Sequence, residues 1–246
     1  MIYHETPSGT LHQGEVLDIL RTLPDESVNC CVTSPPYWGL RDYGHSDQLG
    51  LERTPEEYVA RMVEIFREVR RVLKPDGTLW LNLGDSYNGS GGAGGDYNKG
   101  GLKEGQPKYN GRNIVTLKPK DLVGIPWRVA FALQADGFYL RQDIIWHKPN
   151  PMPESVTDRC TKSHEYVFLM SKSAKYYYDN EAVKENVTNP DRKNYQCGSR
   201  TNGENQDRND NDMASRTAET IFTKRNRRSV WTVTTKPFRE AHFATF

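Results

Sequence analysis

The stretch of the sequence with the clearest chemical potential is Ser-Pro-Pro-Tyr at residues 34–37, which directly follows a short β-prone run over residues 28–33. Two successive prolines fix the backbone φ angle and remove two N–H donors, so this corner offers hydrogen-bond acceptors. The Ser34 hydroxyl and the Pro35 carbonyl stand close in sequence to the aromatic ring of Tyr37. Such a corner suits a flat group that carries an NH2, because the oxygens can accept from the amine while the flat group stacks on the tyrosine.

A nucleobase with an exocyclic amine fits this description. The lone pair of that amine is delocalised into the ring. If both amine hydrogens are accepted in a tetrahedral arrangement, the nitrogen moves toward sp3 geometry and the lone pair is freed to attack an electrophile. The alternative interpretation is that the prolines merely end a strand and that Tyr37 packs into the core. The tetrapeptide alone leaves both open.

The composition limits the class of protein that can carry this corner. The chain has 246 residues with 33 Lys plus Arg against 32 Asp plus Glu, a net charge of +1, which excludes the overall basicity of a histone-like binder and predicts one sizeable domain. Mean hydropathy is −0.80, and neither a membrane span nor a secretory signal is evident, so a cytoplasmic protein is expected. The four cysteines form no C-x-x-C pair, so neither a metal site nor a disulfide framework is predicted.

The elements that must position the corner alternate between helix and strand. Helices are predicted over residues 15–23, 54–73 and roughly 120–135. Strands are predicted over residues 28–33 as a buried strand, 78–85 and 138–146, with a closing hairpin of 165–170 and 175–179. This alternation predicts an α/β sheet with mostly parallel pairing, in which ligands bind at the carboxyl ends of strands.

Several stretches resemble the DNA amino methyltransferases, which transfer a methyl group from S-adenosylmethionine to cytosine N4 or adenine N6. The core match is Thr-Ser-Pro-Pro-Tyr-Trp at residues 33–38, and further matches follow in the family's order at 81–87, 143–151 and 158–165. The resemblance covers roughly residues 11–180 and 229–246. It implies an incomplete Rossmann-like methyltransferase sheet, with helices on both faces and a polar target-recognition insert.

The resemblance also implies roles for the corner. Ser34 and Pro35 hold the target amine, Pro36 stiffens the bend and Tyr37 stacks on a base that is flipped out of double-stranded DNA. Cytosine N4 is the preferred target because Ser rather than Asp begins the corner, and adenine N6 is the second choice. Methylation of RNA or of a protein amide ranks lowest, because families that do so usually have Asn where Ser34 stands.

The order of the motifs resembles the permuted group, in which the cofactor's Phe-x-Gly-x-Gly loop comes last. No such loop is found before residue 246. We therefore expect a catalytic part over 1–181, a target-recognition insert over 182–229 and the start of a cofactor-binding portion over 230–246. A second polypeptide that supplies the rest is one possibility. A fragment of a longer protein and an inactive DNA-binding remnant are the others. In the family, the absent portion supplies the strand next to strand 28–33. Without it, strand 28–33 is expected to have an unpaired edge.

Four further features are considered as candidates for binding. Glu15 stands where the family often has an acid near the cofactor's adenine, although an acid in a first helical turn is also favoured by the helix dipole. Residues 89–94 fit G-x-G-x-x-G, but no helix can follow, so they more plausibly belong to a Gly-rich loop. Asp85 is expected to be a solvated acid at a strand end. At the end of the insert, four basic residues are predicted to touch DNA phosphates, the alternative being a solvated loop: Lys224, Arg225, Arg227 and Arg228.

Overall fold

The computed structural model describes residues 1–39, 48–89, 116–188 and 223–235. Its strands in chain order are β1 (Ile2–Thr6), β2 (Gly9–His12), β3 (Val28–Thr33), β4 (Leu73–Leu83), β5 (Tyr139–His147), β6 (His164–Ser171), β7 (Glu185–Asn186), β8 (Lys224–Arg225) and β9 (Val230–Thr232). Its helices are α1 (Val16–Thr22), α2 (Pro55–Val72) and α3 (Ile125–Ala135). None of the helices in these ranges is long and apolar enough to cross a membrane.

The central sheet has five strands in the order β3-β4-β6-β5-β9. The outer pairs β3–β4 and β5–β9 are parallel, whereas β6 runs antiparallel to both β4 and β5. The α/β prediction is confirmed, but the expectation of mostly parallel pairing is wrong. Its physical reason is the connection between β5 and β6, which contains no helical crossover and therefore returns the chain antiparallel.

The predicted closing hairpin is also wrong. β6 inserts between β4 and β5 and pairs with both, so it has no free edge for a hairpin partner. The segment over residues 172–179 forms bends and irregular chain without a strand. β4 starts earlier than predicted, at Leu73, with a register shift opposite β3 that accommodates residues 74–77.

Helix α2 follows its sequence signals closely. The Thr54 side chain accepts from the Glu57 backbone N–H at 3.1 Å, and Pro55 occupies the first turn. The predicted apolar face is buried against the sheet and includes Tyr58 and Met62, each 0% exposed. The helix ends at Val72, as the Lys-Pro-Asp-Gly segment after it predicts.

Two hydrophobic clusters lie on opposite faces of the sheet because side chains alternate along each strand. Leu79, Leu81 and Leu83 belong to the larger cluster together with residues of α2 and α3, whereas the intervening Trp80 packs against the smaller one, in which Trp231 stacks on it. Within the described ranges no helical residue enters the smaller cluster, so the implied helices on both faces are not found there.

Strand β3 lies at the edge of this sheet and pairs only with β4 in the part of the chain that the structure describes. Cys30 is exposed and Val32 is 60% exposed. The expectation of a buried strand is therefore wrong, and the expected unpaired edge is present in the described ranges. Within the described residues, the carboxyl end of β3 has β4 as its only strand partner.

The chain divides into two compact units, residues 1–177 with 229–246, and residues 178–228. In the second unit β7 and β8 form a short antiparallel ladder. Most of the predicted insert, from 189 to 222, lies outside the described residues, as do the Gly-rich residues 90–115 that hold nearly all of the G-x-G-x-x-G match.

Candidate functional site

The Ser-Pro-Pro-Tyr corner lies at the edge of the sheet where β3 and β4 end. These strands are parallel, so their carboxyl ends point the same way, and antiparallel β6 begins at this same edge. The arrangement brings the corner beside Asn82, near the end of β4, and Glu165, at the start of β6. Polar side chains from three neighbouring strands therefore meet at one place.

Four side chains form a hydrogen-bonded group that we call the corner cluster: Ser34, Tyr37, Asn82 and Glu165. Ser34 Oγ donates to Asn82 Oδ1 at 3.0 Å. The Tyr37 hydroxyl lies 2.5 Å from Asn82 Oδ1, 3.0 Å from Glu165 Oε2 and 3.1 Å from Ser34 Oγ. Asn82 is 0% exposed, and its Nδ2 donates to the Tyr166 carbonyl at 3.0 Å, which fixes the amide with its oxygen toward the hydroxyls.

The ring and backbone of Tyr37 are held by close contacts with two glycines. A Cβ on Gly84 would lie 2.5 Å from both Cδ2 and Cε2 of the Tyr37 ring. A Cβ on Gly50, which has φ +91°, would lie 2.7 Å from the Tyr37 carbonyl oxygen. Only glycine permits this approach without displacement of the corner.

The two proline carbonyls of the corner differ in their availability. The Pro36 carbonyl accepts from the buried Tyr58 hydroxyl at 2.9 Å, so this oxygen faces the core. Within the described residues no hydrogen bond uses the Pro35 carbonyl, and Pro35 is half-buried. Of the predicted acceptors, Ser34 and Pro35 thus keep capacity to accept, because the Ser34 proton is directed to Asn82.

The electrostatics of the corner cluster keep Tyr37 protonated. Burial, and next the negative charge of Glu165, raise the pKa of the Tyr37 phenol well above its usual value. Lys148, at the end of β5, forms an ion pair with Glu165 Oε1, and its ammonium group lies 4.4 Å from the centre of the Trp146 ring. Tyr37 is therefore a hydrogen-bond donor inside the cluster and not a base.

Two acids singled out in the sequence cap helices. Glu15 Oε2 accepts from the backbone N–H groups of Leu17 at 2.6 Å and Asp18 at 3.3 Å, at the start of α1. Asp85 Oδ1 accepts from the backbone N–H groups of Gly124 at 3.0 Å and Ile125 at 3.1 Å, at the start of α3. The expectation of a solvated Asp85 is wrong, because its carboxylate satisfies donors that a helix start leaves unpaired.

In the second unit, two of the basic residues at the end of the insert bind one acid. Arg225 and Arg228 donate from Nε to Glu185 Oε1 at 3.0 and 2.7 Å. Lys224, Arg227 and Arg228 are exposed. Two of the four cations thus share one carboxylate.

Sequence reasoning assigned no role to Asn82, Glu165 or Lys148. All three lie inside stretches that match the family, but neither their residue types nor their spacing indicates that they approach the corner. The available signal was position, since each polar side chain stands near the end of a strand at the edge where Ser34 emerges. The sequence patterns do not indicate that β6 lies between β4 and β5, which is what brings these side chains together.

Comparison with known proteins identifies the family of this chain. The family model described as "DNA methylase" matches residues 28–246. The type II methyltransferase M.Cfr9I of Citrobacter freundii is 49% identical over 249 residues, covering 98% of this chain and 70% of the relative. M.SmaI of Serratia marcescens is 46% identical over 236 residues, covering 95% and 69%.

Among solved structures, the PvuII DNA methyltransferase (cytosine-N4-specific), known from Proteus hauseri, aligns with a TM-score of 0.48 and 21% identity over 70% of this chain and 51% of that chain. The type II relatives cover most of this chain as single enzymes, so the expectation of a second polypeptide finds no support in them. Because the family model spans most of the chain and relatives nearly half identical to it are methyltransferases, the chain belongs to the DNA methylase family of N6/N4 methyltransferases.

Proposed function

We propose that this chain transfers a methyl group from S-adenosylmethionine to the N4 amine of a cytosine flipped out of double-stranded DNA, with adenine N6 as the second candidate. The observation that carries the proposal is the half-buried corner at the strand ends, where the Ser34 proton is directed to Asn82. The oxygen of Ser34 then has lone pairs left to accept from an incoming amine.

In this proposal Ser34 Oγ and the Pro35 carbonyl each accept one amine hydrogen. The nitrogen moves toward sp3 geometry, and its lone pair becomes available to form the new bond to the methyl group. One of the two amine protons is then released to water, so that the methylated amine ends neutral. The Tyr37 ring, held against Gly84 on one side, offers its aromatic surface to the flipped base. Base–aromatic stacking of this kind contributes about 1–3 kcal/mol, which offsets part of the cost of flipping.

Among the described residues, Glu15 is the one we assign to the cofactor. Its Oε2 caps α1, whereas Oε1 lies 3.6 Å from Arg61 Nη2 and can still accept a hydrogen bond from an amine or hydroxyl. When bound, S-adenosylmethionine supplies an electrophilic methyl group. That the Phe-x-Gly-x-Gly loop of the cofactor site lies outside these 246 residues stays a prediction.

The test is methyl transfer from labelled S-adenosylmethionine into DNA, followed by digestion and mass spectrometry of the nucleosides. It uses both the 246-residue chain and the same chain joined to the part of M.Cfr9I outside the match. We expect N4-methylcytosine. Removal of one hydrogen-bonding group that acts in a transition state costs about 10²–10³-fold, so Ser34→Ala should lower kcat/KM by that factor.

Ser8→Ala, at an exposed turn between β1 and β2, is the matched control and should leave the rate unchanged. N6-methyladenine as the product would select the second candidate. DNA binding without methyl transfer by either protein would favour the inactive DNA-binding remnant. Full activity of Ser34→Ala would remove the role assigned to the corner.

We also propose that the four basic residues Lys224, Arg225, Arg227 and Arg228 contact DNA phosphates. Phosphate contacts release counterions, so loss of one should reduce the slope of log affinity against log salt by about 1. Lys224→Ala should show this change for DNA of any sequence. Lys175→Ala, a lysine outside the insert, should keep the original slope. An unchanged slope for Lys224→Ala would contradict the phosphate contact.

A further inference from the structure

Glu165 and Lys148 lie behind the corner and do not belong to the Ser-Pro-Pro-Tyr motif. Their side chains are only 17% and 19% exposed. The two oxygens of Glu165 serve different partners: Oε1 accepts from Lys148, and Oε2 accepts from the Tyr37 hydroxyl at 3.0 Å. One carboxylate therefore joins the paired edge of β5 and β6 to the corner after β3.

We propose that Glu165, held in place by Lys148, is a positioning residue that acts through the Tyr37 hydroxyl and fixes the orientation of the Tyr37 ring. This inference rests on the proposed function, in which that ring is the surface on which the base stacks. Its basis is the geometry of the corner cluster.

A count of protons explains why the Tyr37 hydroxyl stays turned inward. Four oxygen atoms, from Ser34, Tyr37, Asn82 and Glu165, make four contacts of 2.5–3.1 Å. Two hydroxyl protons serve these contacts, so the cluster holds more acceptors than donors. Whether the Tyr37 proton points to Asn82 or to Glu165, the phenol oxygen stays hydrogen-bonded within the corner cluster.

One side of the ring is constrained as well. Gly84 lets the Cδ2–Cε2 edge of Tyr37 approach the backbone of the chain directly after β4. With the edge against Gly84 and the hydroxyl bound to Asn82 and Glu165, rotation about the Cα–Cβ and Cβ–Cγ bonds is blocked. The exposed part of the ring is thereby held in one orientation.

Lys148 offsets the cost of burying the Glu165 charge. A buried carboxylate without a cation carries a large desolvation penalty, whereas a paired and hydrogen-bonded one is tolerated. The ammonium group also lies 4.4 Å from the centre of the Trp146 ring, which favours its position. Lys148 thus holds one oxygen of Glu165 while the other is directed toward Tyr37.

A double-mutant cycle tests the inference. Tyr37→Phe removes only the hydroxyl. Glu165→Gln keeps the shape but leaves one acceptor oxygen for two donors, Lys148 and Tyr37. A hydrogen bond to a charged group is strong, so each variant should lower kcat about tenfold, with a smaller effect on the KM for DNA. The double variant should be no slower than the slower single variant, because both remove the same contact.

Glu64→Gln, which changes an exposed pair with Arg61 on α2, is the control and should keep wild-type kinetics. A double variant slowed about a hundredfold would mean that the two residues act separately, and this would overturn the inference. If Ser34→Ala lowers methyl transfer about 10²–10³-fold while Glu165→Gln keeps the wild-type kcat, the inference fails and the proposed function stands.

A second measurement does not depend on activity. In protein labelled with 13C at tyrosine Cζ, the Tyr37 signal is the one missing from Tyr37→Phe. That signal should move in Glu165→Gln and in Lys148→Met, and should stay in place in Glu64→Gln. An unmoved signal in Glu165→Gln would overturn the inference even in a chain that shows no methyl transfer.

Discussion

Gly84→Ala is the most direct test of the way the corner is packed. The new Cβ would lie 2.5 Å from two carbons of the Tyr37 ring, whereas ordinary van der Waals contact is 3.4–4 Å. To restore ordinary contact, the ring or the backbone at residue 84 must move by 0.9 Å, the difference between 3.4 and 2.5 Å. The ring cannot pivot freely, because its hydroxyl is bound at 2.5 Å to Asn82 and at 3.0 Å to Glu165.

The size of the effect follows from this displacement. Overpacking of a well-packed site costs typically about 1–3 kcal/mol of stability. A misplacement of about 1 Å at a reacting centre can cost about 10²-fold in rate. We therefore expect Gly84→Ala to lose about 1–3 kcal/mol in unfolding free energy and about 10²-fold in kcat, because the ring no longer presents the same surface to the base.

Urea denaturation and the methyl-transfer assay measure these two quantities. Gly9→Ala, in β2, is the matched control, because its Cβ would have nothing within 4 Å. It should keep wild-type activity, and its unfolding free energy should lie within about 1 kcal/mol of the wild-type value. A Gly84→Ala protein with the unfolding free energy of the wild type and a kcat within about twofold of it would show that Tyr37 is not held against this glycine.

Three further predictions concern the surroundings of the corner. Gly50→Ala and Gly124→Ala both place a side chain at positive φ, but only at Gly50 would the Cβ also meet the Tyr37 carbonyl oxygen, at 2.7 Å. In urea denaturation, Gly50→Ala should therefore lose about 1–3 kcal/mol more unfolding free energy than Gly124→Ala. Equal losses would contradict the contact. Asp85→Ala should lose about 1–3 kcal/mol, because two helix N–H groups lose their acceptor; Asp85→Asn, which retains the oxygen, should recover most of it, and an equal loss in both would contradict the capping role. Burial, and next Cys30, raise the pKa of Cys31 to about 11, so at pH 8 only about one thiol in a thousand is ionised; mass spectrometry should show slower alkylation by iodoacetamide at Cys31 than at the exposed cysteines, and equal rates would contradict this protection.

Much of the local structure could be predicted from the sequence. The signals of α2 are contained within its own residues: a capping threonine, a proline in the first turn and apolar residues at helical spacing. The strand before Ser34 and the strand before Asp85 were likewise recognisable from short-range patterns. The sheet order was not predictable in this way, because β6 resembles half of a hairpin locally, whereas its partners β4 and β5 come from distant parts of the chain.

The sequence by itself determined the corner, since two prolines between Ser34 and Tyr37 restrict the backbone whatever surrounds them, and it determined the family through motifs that occur in a fixed order. Only the tertiary structure decided what stands behind the corner. Asn82, Glu165 and Lys148 are separated from Ser34 by 48 or more positions in the chain, and a hydrogen bond between such residues depends on strand pairing rather than on local propensity. The same reason explains why Asp85, expected from the sequence to be a solvated acid at a strand end, is a helix cap in the structure.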